Sequence, residues 1–339
     1  MKRAAIVLVV LVLCLLGALA VSLGIGAVPI PVSGILELLF GFERPSLSQT
    51  ERVILLQMRL PRLLTACLVG ASLAAAGAAY QGLFRNPLAD PFVIGASSGA
   101  GLGVTVAIIM GLQLTILGLG AVSFAALLGA LSAVAAVYGI AAVGPQVPTL
   151  SLLLAGVALS SLIGAIMSLL MFMNDEKLVA IFGWLMGSLS GKSWSVVSTT
   201  AVLAGVGIVS LMLLSRALDA LTFGEETAAS LGLSLTRLRL LVVVAASVTT
   251  AAAVAAAGVI GFVGLIAPHM ARSLVGPRHV WVIPASVLLG AILLLVADDL
   301  ARTVVAPSEL PVGVVTALLG GPFFLFLLKT RRQEFVAHP

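Results

Sequence analysis

The sequence predicts an all-α membrane protein, a polytopic helical bundle of about ten transmembrane helices. Of its 339 residues, 61% are hydrophobic and only 9% are charged, whereas a typical soluble domain is about 25% charged. Apolar runs of roughly 20 residues, the length at which a helix crosses a bilayer, recur along the whole chain. No stretch is polar enough to form a separate soluble domain. We therefore expect residues 1–339 to form a single transmembrane domain.

Ten apolar segments are predicted to be membrane spans. The first begins with the positively charged "MKR" and resembles a secretory signal peptide. Its apolar run of roughly 22 residues is longer than the usual signal core, which favours a retained span. The predicted spans cover residues 4–25, 54–80, 93–110, 116–139, 149–173, 193–214, 237–258, 261–275, 281–301 and 311–329.

The distribution of Lys and Arg predicts the orientation, because cytoplasmic loops carry an excess of these residues. With the N-terminus inside, eleven of the 18 basic residues lie on the cytoplasmic side and seven on the outer side. Both termini are then cytoplasmic, as is the polar segment between the sixth and seventh spans. The net charge of +5 comes from basic span ends, so we expect membrane lipid and no nucleic acid as a partner.

An internal similarity predicts an inverted repeat. The stretch "AAAGAAYQGLFRNP" (74–87) resembles "AAAGVIGFVGLIAP" (255–268), and the two copies end the second and seventh spans. Five spans separate corresponding points, and an odd offset reverses the direction of the chain in the membrane. We therefore expect spans 2–5 and 7–10 to be related by an inverted-topology repeat.

Two stretches resemble catalytic motifs but have the wrong spacing. In "MGSLSGKSW" (186–194), three residues separate Gly187 and Gly191, where a P-loop has four. In "IGASSGAG" (94–101), neither register gives the G-x-S-G of an intramembrane serine protease. Its serines are expected to bond backbone carbonyls.

None of the three histidines has the spacing of a metal-ligand pair, so we expect no catalytic residue and no metal site.

The predicted spans lack ionisable residues near their middle. Asp298 and Asp299 come closest, but they lie at the outer end of the ninth span, and a pair of Asp299 with Arg302 one turn on is expected. An ion-driven carrier would usually bury a carboxylate near the midplane. An ion-coupled secondary transporter stays an alternative, and an intramembrane enzyme is a weaker one.

The segment "FGEETAASLGLSLTRLR" (223–239) is polar between two apolar spans. Gly224 stands at the N-cap of a short helix, and Glu225 and Glu226 occupy its first turn, where the helix dipole favours negative charge. Gly232 fits the C′ position that ends such a helix, and Ser234 can cap the next one. A plain connection needs only a few residues, so we expect this segment to form a docking surface.

Five blocks of sequence carry a family resemblance. They are "RLPRLLTACLVGASLAAAGAAYQGLFRNPLADPFVIGASSGAG", "LLLAGVALSS", "FGEETAASLG", "AAAGVIGFVGLIAPHMARSLVG" and "ADDLARTVVAPSELPVGVVTALLGGPFFLFLL". In this order, over residues 52–330, they resemble the FecCD-like permeases of type II ABC importers for iron–siderophore complexes, haem and cobalamin. The resemblance implies a ten-span permease that translocates a metal chelate into the cytoplasm and carries out no catalysis itself.

The resemblance also implies the partners of the chain. They are a second copy in a homodimer, two cytosolic ABC ATPase subunits, and an extracytoplasmic substrate-binding protein. We expect no cofactor in this chain, because ATP and Mg belong to the partner ATPase. The implied location is the cell's inner or plasma membrane. For the cargo we expect a ferric siderophore first, and otherwise cobalamin or haem.

Three sets of residues match functional positions of the family. The coupling loop (215–236) would contact the ATPase through Gly224, Glu225, Glu226, Thr227, Ala228, Ser230, Leu231 and Gly232. The arginines that dock the binding protein in the family match Arg59, Arg62 and Arg302. From the sequence alone, these three arginines would be interpreted as anchors at the lipid headgroups. The cytoplasmic gate matches Asn86, Leu88, Thr149 and Leu150.

Overall fold

The computed structural model describes residues 2–26, 34, 47–144 and 147–330, and almost all of its regular structure is helical. The helices are α1 (Lys2–Gly24), α2 (Gln49–Leu83), α3 (Ala96–Ile109), α4 (Ala121–Ala141), α5 (Thr149–Met173), α6 (Leu178–Leu185), α7 (Trp194–Leu221), α8 (Glu225–Ser230), α9 (Leu235–Ala257), α10 (Val263–Val275), α11 (His279–Thr303) and α12 (Val312–Thr330). A two-residue hairpin, β1 (Thr115–Ile116) and β2 (Leu119–Gly120), precedes α4.

Each predicted span corresponds to one helix. Seven helices in the described part of the chain, α1, α2, α4, α5, α7, α9 and α11, are long and apolar enough to cross a membrane. The third, eighth and tenth predicted spans correspond to α3, α10 and α12, which are shorter. The all-α membrane bundle is therefore confirmed, while the count of ten crossings stays a prediction.

Helices α2 and α9 form the buried centre of the bundle and pack through small residues. A Cβ atom on Gly77 would overlap the carbonyl oxygen of Gly264, and one on Gly70 would overlap that of Gly290. Without a hydrophobic force between helices in lipid, such close backbone contact supplies the packing energy. Gly70 and Gly77 of α2 are thus required by the neighbouring backbones of α11 and α10.

The packing follows the predicted inverted repeat. The pairs α3–α4, α2–α11 and α2–α10 have counterparts in α10–α11, α9–α4 and α9–α3. The hydroxyl of Tyr80, near the end of α2, lies 3.0 Å from that of Ser247 in the middle of α9, so these two corresponding helices are in direct contact. Helices α3 and α10, which correspond in the repeat, also each begin after a residue in the left-handed conformation. These residues are Gly95 (φ 87°) before α3 and Phe262 (φ 68°) before α10.

Helix α1 packs against the rest of the bundle through α11. The Ser22 hydroxyl donates a 2.5 Å hydrogen bond to the Asp299 carboxylate. That the first segment is a retained span stays a prediction. Most of the α1 surface is nevertheless exposed and apolar, with Ile6, Val9 and Leu13 all pointing away from the protein.

Three local predictions differ from the structure. Helix α7 continues to Leu221, so residues 215–221 of the predicted coupling loop extend the span instead. Helix α6 is short, lies between spans and was not predicted, and the β1–β2 hairpin occupies the start of the predicted fourth span (116–139), whose helix begins only at Ala121. Helix α2 starts earlier than predicted and contains a π-helical stretch, Ile54–Arg59. The loop at 144–150 lies partly outside the described residues.

Candidate functional site

The three arginines predicted to dock a binding protein lie together at one end of the bundle. Arg62 forms a forked ion pair with Asp298, with Nη2 2.8 Å from Oδ1, and its Nη1 lies 2.8 Å from Glu309. Arg302 reaches Asp298 with Nε at 3.3 Å and also pairs with Asp299. The Asp299–Arg302 pair expected from the sequence is therefore confirmed.

These arginines are mostly covered by their own chain. The Arg62 and Arg302 side chains are only 12% and 6% exposed. Arg59 is also buried, and it donates a 2.7 Å hydrogen bond to the carbonyl oxygen of Leu23. All three line an open cavity of 480 Å³ together with Lys192 and Glu309. A partner would reach them through this cavity, and their docking role stays a prediction.

Lys192 adds a further positive charge to the cavity wall. Burial, assisted by repulsion from Arg62, lowers the pKa of Lys192 to about 8. Burial disfavours the charged form of a lysine, and a nearby like charge acts in the same direction. The cavity therefore brings four basic side chains together, of which Arg62 and Arg302 pair with the carboxylates of Asp298, Asp299 and Glu309. Sequence reasoning missed Lys192 because it belongs to the loop that imitates a P-loop.

The predicted coupling segment forms the helix that its sequence indicates. Gly224 (φ 106°) is the N-cap of α8, and Glu225 and Glu226 stand in the first turn. Gly232 has φ 85°. At the C-terminus the Gly232 N–H bonds the Ala229 carbonyl and the Leu233 N–H bonds the Ala228 carbonyl. These two bonds form a Schellman motif, in which a left-handed glycine ends the helix.

One face of α8 is held by the protein and the other is open. Ala228 is fully buried, and the Glu225 carboxylate lies 2.5 Å from Arg239 Nη2. Arg239 also donates to the Val147 carbonyl at 3.1 Å, which ties α8 to the start of α5. Glu226, Thr227, Ser230 and Leu231 are exposed. Ser234 is the N-cap of α9 as predicted, although its side chain makes no capping bond.

The predicted gate residues divide between two places within one chain. Leu88 lines a small cleft with Ile266 and Phe323, and the Asn86 side chain accepts a 2.9 Å hydrogen bond from the Leu88 N–H. Thr149 and Leu150 begin α5, beside Val147, and Leu150 is exposed. The joint role of these four residues as a gate stays a prediction.

Asp90 is a half-buried carboxylate in the loop of the predicted gate. Its Oδ1 accepts a 2.8 Å hydrogen bond from the Phe92 N–H. Burial raises the pKa of Asp90 to about 6, although the Phe92 N–H acts in the opposite direction. Removal from water disfavours the ionised form of a carboxyl group, and one hydrogen bond offsets this only in part.

Comparison with known proteins assigns the chain to a family. A family model described as the FecCD transport family matches residues 11–330. The chain belongs to this family. It is 42% identical over 283 residues to the cobalamin import system permease protein BtuC of Halobacterium salinarum, covering 84% of this chain and 75% of the relative. It is 38% identical to the Fe(3+)-citrate import system permease protein YfmE of Bacillus subtilis, covering 98% and 97%.

A solved structure agrees with the family assignment. An ABC transporter of the metal-chelate type, in an inward-facing conformation, matches with a TM-score of 0.81 and 34% sequence identity. The match covers 95% of this chain and 98% of the solved one. Together with its long apolar helices, the assignment makes this FecCD-family chain a multi-pass membrane protein of the transport permease type.

The FecCD-family chain also contains a polar cluster that its sequence did not reveal. Asp219, near the end of α7, accepts hydrogen bonds from the backbone N–H of His279 at 2.6 Å and from its ring Nδ1 at 2.9 Å. Arg272 of α10 bonds the side-chain oxygen of Gln81. The partners are distant in sequence, so only knowledge of which helices are adjacent could have identified them.

The motifs that imitate enzymes have structural roles in this FecCD-family chain. Residues 186–193 form the loop before α7, and Gly187 (φ 73°) and Gly191 (φ 66°) adopt left-handed turns. The Ser98 hydroxyl donates to the Gly95 carbonyl at 3.0 Å, which confirms the predicted bonding to backbone. Within the described residues, no three His, Cys, Asp or Glu side chains group as a metal site would require.

Proposed function

We propose that this chain is the permease subunit of an ATP-binding-cassette importer that moves a metal chelate into the cytoplasm. The observation that carries the proposal is α8, a capped helix outside the bundle that is anchored on one face and exposed on the other. A helix held in this way transmits a push to α9 through the Glu225–Arg239 pair. Its open face is suited to contact a partner ATPase.

The exposed face of α8 has the chemistry of a protein contact. The large apolar side chains of Phe223 and Leu231 flank the helix and are exposed. Apolar side chains surrounded by polar ones are typical of a docking surface. Glu226 and Thr227 provide polar contacts between them. We assign this surface to an ATPase subunit, one for each copy of the permease in a homodimer.

The outer arginine cluster would receive the binding protein. Arg59, Arg62 and Arg302 line a 480 Å³ cavity at the opposite end of α2 from Gln81. Complementary charge at such a surface guides association and fixes orientation. This assignment places α8 and both chain termini in the cytoplasm, in agreement with the Lys and Arg bias.

The distribution of buried charge supports an external energy source over ion coupling. The buried carboxylate Asp298 is located near the end of α11 and is neutralised by Arg62 and Arg302. A carboxylate that is already neutralised by two arginines is not available to bind the proton or sodium ion of an ion-coupled pathway. The chain would instead pass its cargo along small and apolar surfaces while ATP is hydrolysed elsewhere.

The cargo class follows from the relatives, whose names include Fe(3+)-citrate and cobalamin. We propose a metal chelate, with a ferric siderophore or carboxylate chelate as the first candidate and cobalamin or haem as the others. Competition of each chelate for uptake of radiolabelled iron or cobalt would distinguish among these classes.

Reconstitution tests the function directly. The permease, ATPase and binding protein are placed in liposomes, and chelate uptake is measured with ATP supplied on the ATPase side. We expect uptake that requires ATP, the ATPase and the binding protein together. Equal uptake in liposomes that lack the ATPase, or uptake that follows an imposed ion gradient, would refute the proposal. A variant ATPase that binds but does not hydrolyse ATP serves as the control.

A further inference from the structure

Two neighbouring cavities lie near the junction of α1, α10 and α11, and they share Pro277. The first, of 540 Å³, is lined by Arg3, Arg278 and Trp281. The second, of 250 Å³, is lined by Arg85, Arg272, His279 and Gly82, among others. Thr222, which precedes α8, also lines the second cavity. The cavities are therefore at the end of the bundle that carries the exposed coupling helix.

The charge of these cavities is not compensated as it is at the outer cluster. No Asp or Glu among the described residues lines either cavity, and no described carboxylate pairs with Arg3, Arg85, Arg272 or Arg278. The nearest acidic group in the hydrogen-bond network is Asp219, whose bonds go to His279. Arginines without carboxylates beside a membrane surface bind anionic headgroups.

His279 provides a second and independent indication of a ligand. Its side chain is only 3% exposed, and its Nδ1 bonds Asp219. Its Nε2 has no hydrogen-bond partner in the described part of the chain. Buried polar atoms in proteins are nearly always satisfied, so a partner from outside the chain is indicated. Gly82 packs directly against this nitrogen, since a Cβ there would lie 2.5 Å from it, and both residues line the second cavity.

The surroundings of the first cavity are suited to a lipid. Trp281 and Leu274 line it together with Ala4 of α1. Tryptophan is enriched at the level of the headgroups, where one side is apolar and the other is wet. The exposed apolar surface of α1, with Ile6, Val9 and Val10, continues from the cavity into the membrane. Acyl chains could lie along this surface while a headgroup occupies the basic groove.

We propose that these two cavities form a binding site for an anionic phospholipid of the cytoplasmic leaflet. The phosphate would be held by the arginines, with Arg3 and Arg278 at the entrance and Arg272 further in. When Nδ1 carries the proton donated to Asp219, Nε2 of His279 is a hydrogen-bond acceptor. Nε2 can therefore accept a hydrogen bond from a headgroup hydroxyl, such as that of phosphatidylglycerol or cardiolipin. A lipid bound here would contact α1, α10 and α11 and brace the inner end of the bundle near α8.

Lipid binding to the purified full-length chain tests the proposal. The protein in detergent is titrated with phosphatidylglycerol, cardiolipin or phosphatidylcholine, and bound lipid is counted by native mass spectrometry. We expect the two anionic lipids to be retained and to raise the melting temperature, and phosphatidylcholine to do neither. The double variant Arg3→Gln/Arg278→Gln should weaken binding by about 10- to 30-fold, because each basic residue near the surface contributes about a tenfold factor or less.

A matched variant separates this site from the general effect of positive charge. Arg216→Gln/Arg237→Gln removes two exposed arginines that lie away from both cavities and should bind lipid as the wild type does. Equal retention by both double variants, or no preference for anionic lipid, would overturn the proposal. In a third experiment, inorganic phosphate is added at matched ionic strength and the lipid that stays bound is measured. Complete displacement of the lipid by phosphate would identify a site for free anions instead.

Discussion

Arg62 and Asp298, 236 residues apart, form a forked ion pair that joins the first half of α2 to the C-terminal part of α11. Arg62 Nη2 lies 2.8 Å from Oδ1 of Asp298, and Nε lies 3.0 Å from Oδ2. The Asp298 side chain is 0% exposed, and Arg302 approaches the same carboxylate. A planar guanidinium that meets a carboxylate with two parallel bonds fixes orientation as well as charge. This pair therefore organises the cluster that we assign to partner docking.

Replacing Asp298 by asparagine should strongly destabilise the protein. The change removes the buried negative charge that pairs with Arg62 and Arg302. Removing one partner of a buried ion pair typically lowers the free energy of unfolding by about 3–5 kcal/mol. Thermal unfolding in detergent measures the loss. Glu309→Gln is the matched control, because Glu309 is 40% exposed and such pairs contribute about 1 kcal/mol or less. Equal losses in the two variants would contradict the ranking.

Changes on the exposed face of α8 should uncouple transport without unfolding the protein. Glu226→Arg combined with Leu231→Asp alters two exposed side chains. We expect uptake to fall by at least tenfold and ATPase stimulation to disappear, because one or two central residues carry most of the energy of such contacts. The melting temperature should stay within a few degrees of the wild type, and unchanged uptake would refute the coupling role.

Glu225 is expected to behave differently from its neighbour Glu226. Its carboxylate pairs with Arg239, which is itself bonded to Val147. Glu225→Arg places two like charges together and should lower both transport and stability, whereas Glu226→Arg should lower transport alone. Restoring the pair with the exchange Glu225→Arg/Arg239→Glu should recover part of the lost stability. If the two single variants have the same melting temperature, the bond does not anchor α8.

The outer arginines should affect the binding protein in a salt-dependent way. Arg62→Gln and Arg302→Gln remove positive charge from the cavity, so the affinity for the binding protein should fall and its dependence on salt should weaken. Surface plasmon resonance at two ionic strengths measures both. Arg52→Gln, an exposed arginine on the same helix, is the control. Unchanged affinity in the cavity variants would show that the arginines serve only the internal pairs.

The sequence was sufficient to predict features that local chemistry determines. The caps of α8 depend on Gly224 and Gly232, whose freedom to adopt positive φ does not require knowledge of the fold. The helix, its acidic first turn and its stop were therefore predicted correctly. The apolar runs of the membrane spans were also predicted from the sequence, because the thickness of the bilayer fixes their length.

Features that depend on the adjacency of distant helices could not be predicted. The sequence suggested a partner for Asp299 within one helical turn, but nothing local indicated that Arg62 would meet Asp298. The same holds for Asp219 and His279, which are 60 residues apart. Asn86 and Leu88 were grouped with Thr149 by family resemblance alone. Leu88 lines a cleft with Ile266 of the second repeat, which nothing in the local sequence indicated.

A methyl group at Gly77 should be destabilising even though alanine is the better helix former. Alanine normally gains about 1 kcal/mol over glycine inside a helix. At Gly77 the added Cβ would overlap the backbone of Gly264, which cannot move independently. Gly205→Ala is the matched control, because Gly205 lies within α7 and has nothing within 4 Å of the added atom. We expect a lower melting temperature for Gly77→Ala and an unchanged or higher one for Gly205→Ala.

Asp90→Asn should stabilise the protein at neutral pH but not at acidic pH. Burial raises the pKa of Asp90 to about 6 in the folded chain, against about 3.9 for an unperturbed aspartate. Between these values the folded state binds more protons than the unfolded state, so the free energy of unfolding falls as pH rises from about 4 to about 6. Above that window the folded chain holds an ionised, half-buried carboxylate.

Asparagine removes this ionisation and keeps an oxygen that can accept the Phe92 N–H. The variant should therefore gain about 1–3 kcal/mol relative to the wild type at pH 7.5, while the difference should nearly disappear at about pH 3.5, below the unfolded pKa. Melting temperatures in detergent at the two pH values measure the effect. Glu309→Gln, which removes an exposed carboxylate, controls for the change in net charge. A gain of equal size at both pH values would mean that ionisation of Asp90 does not limit stability.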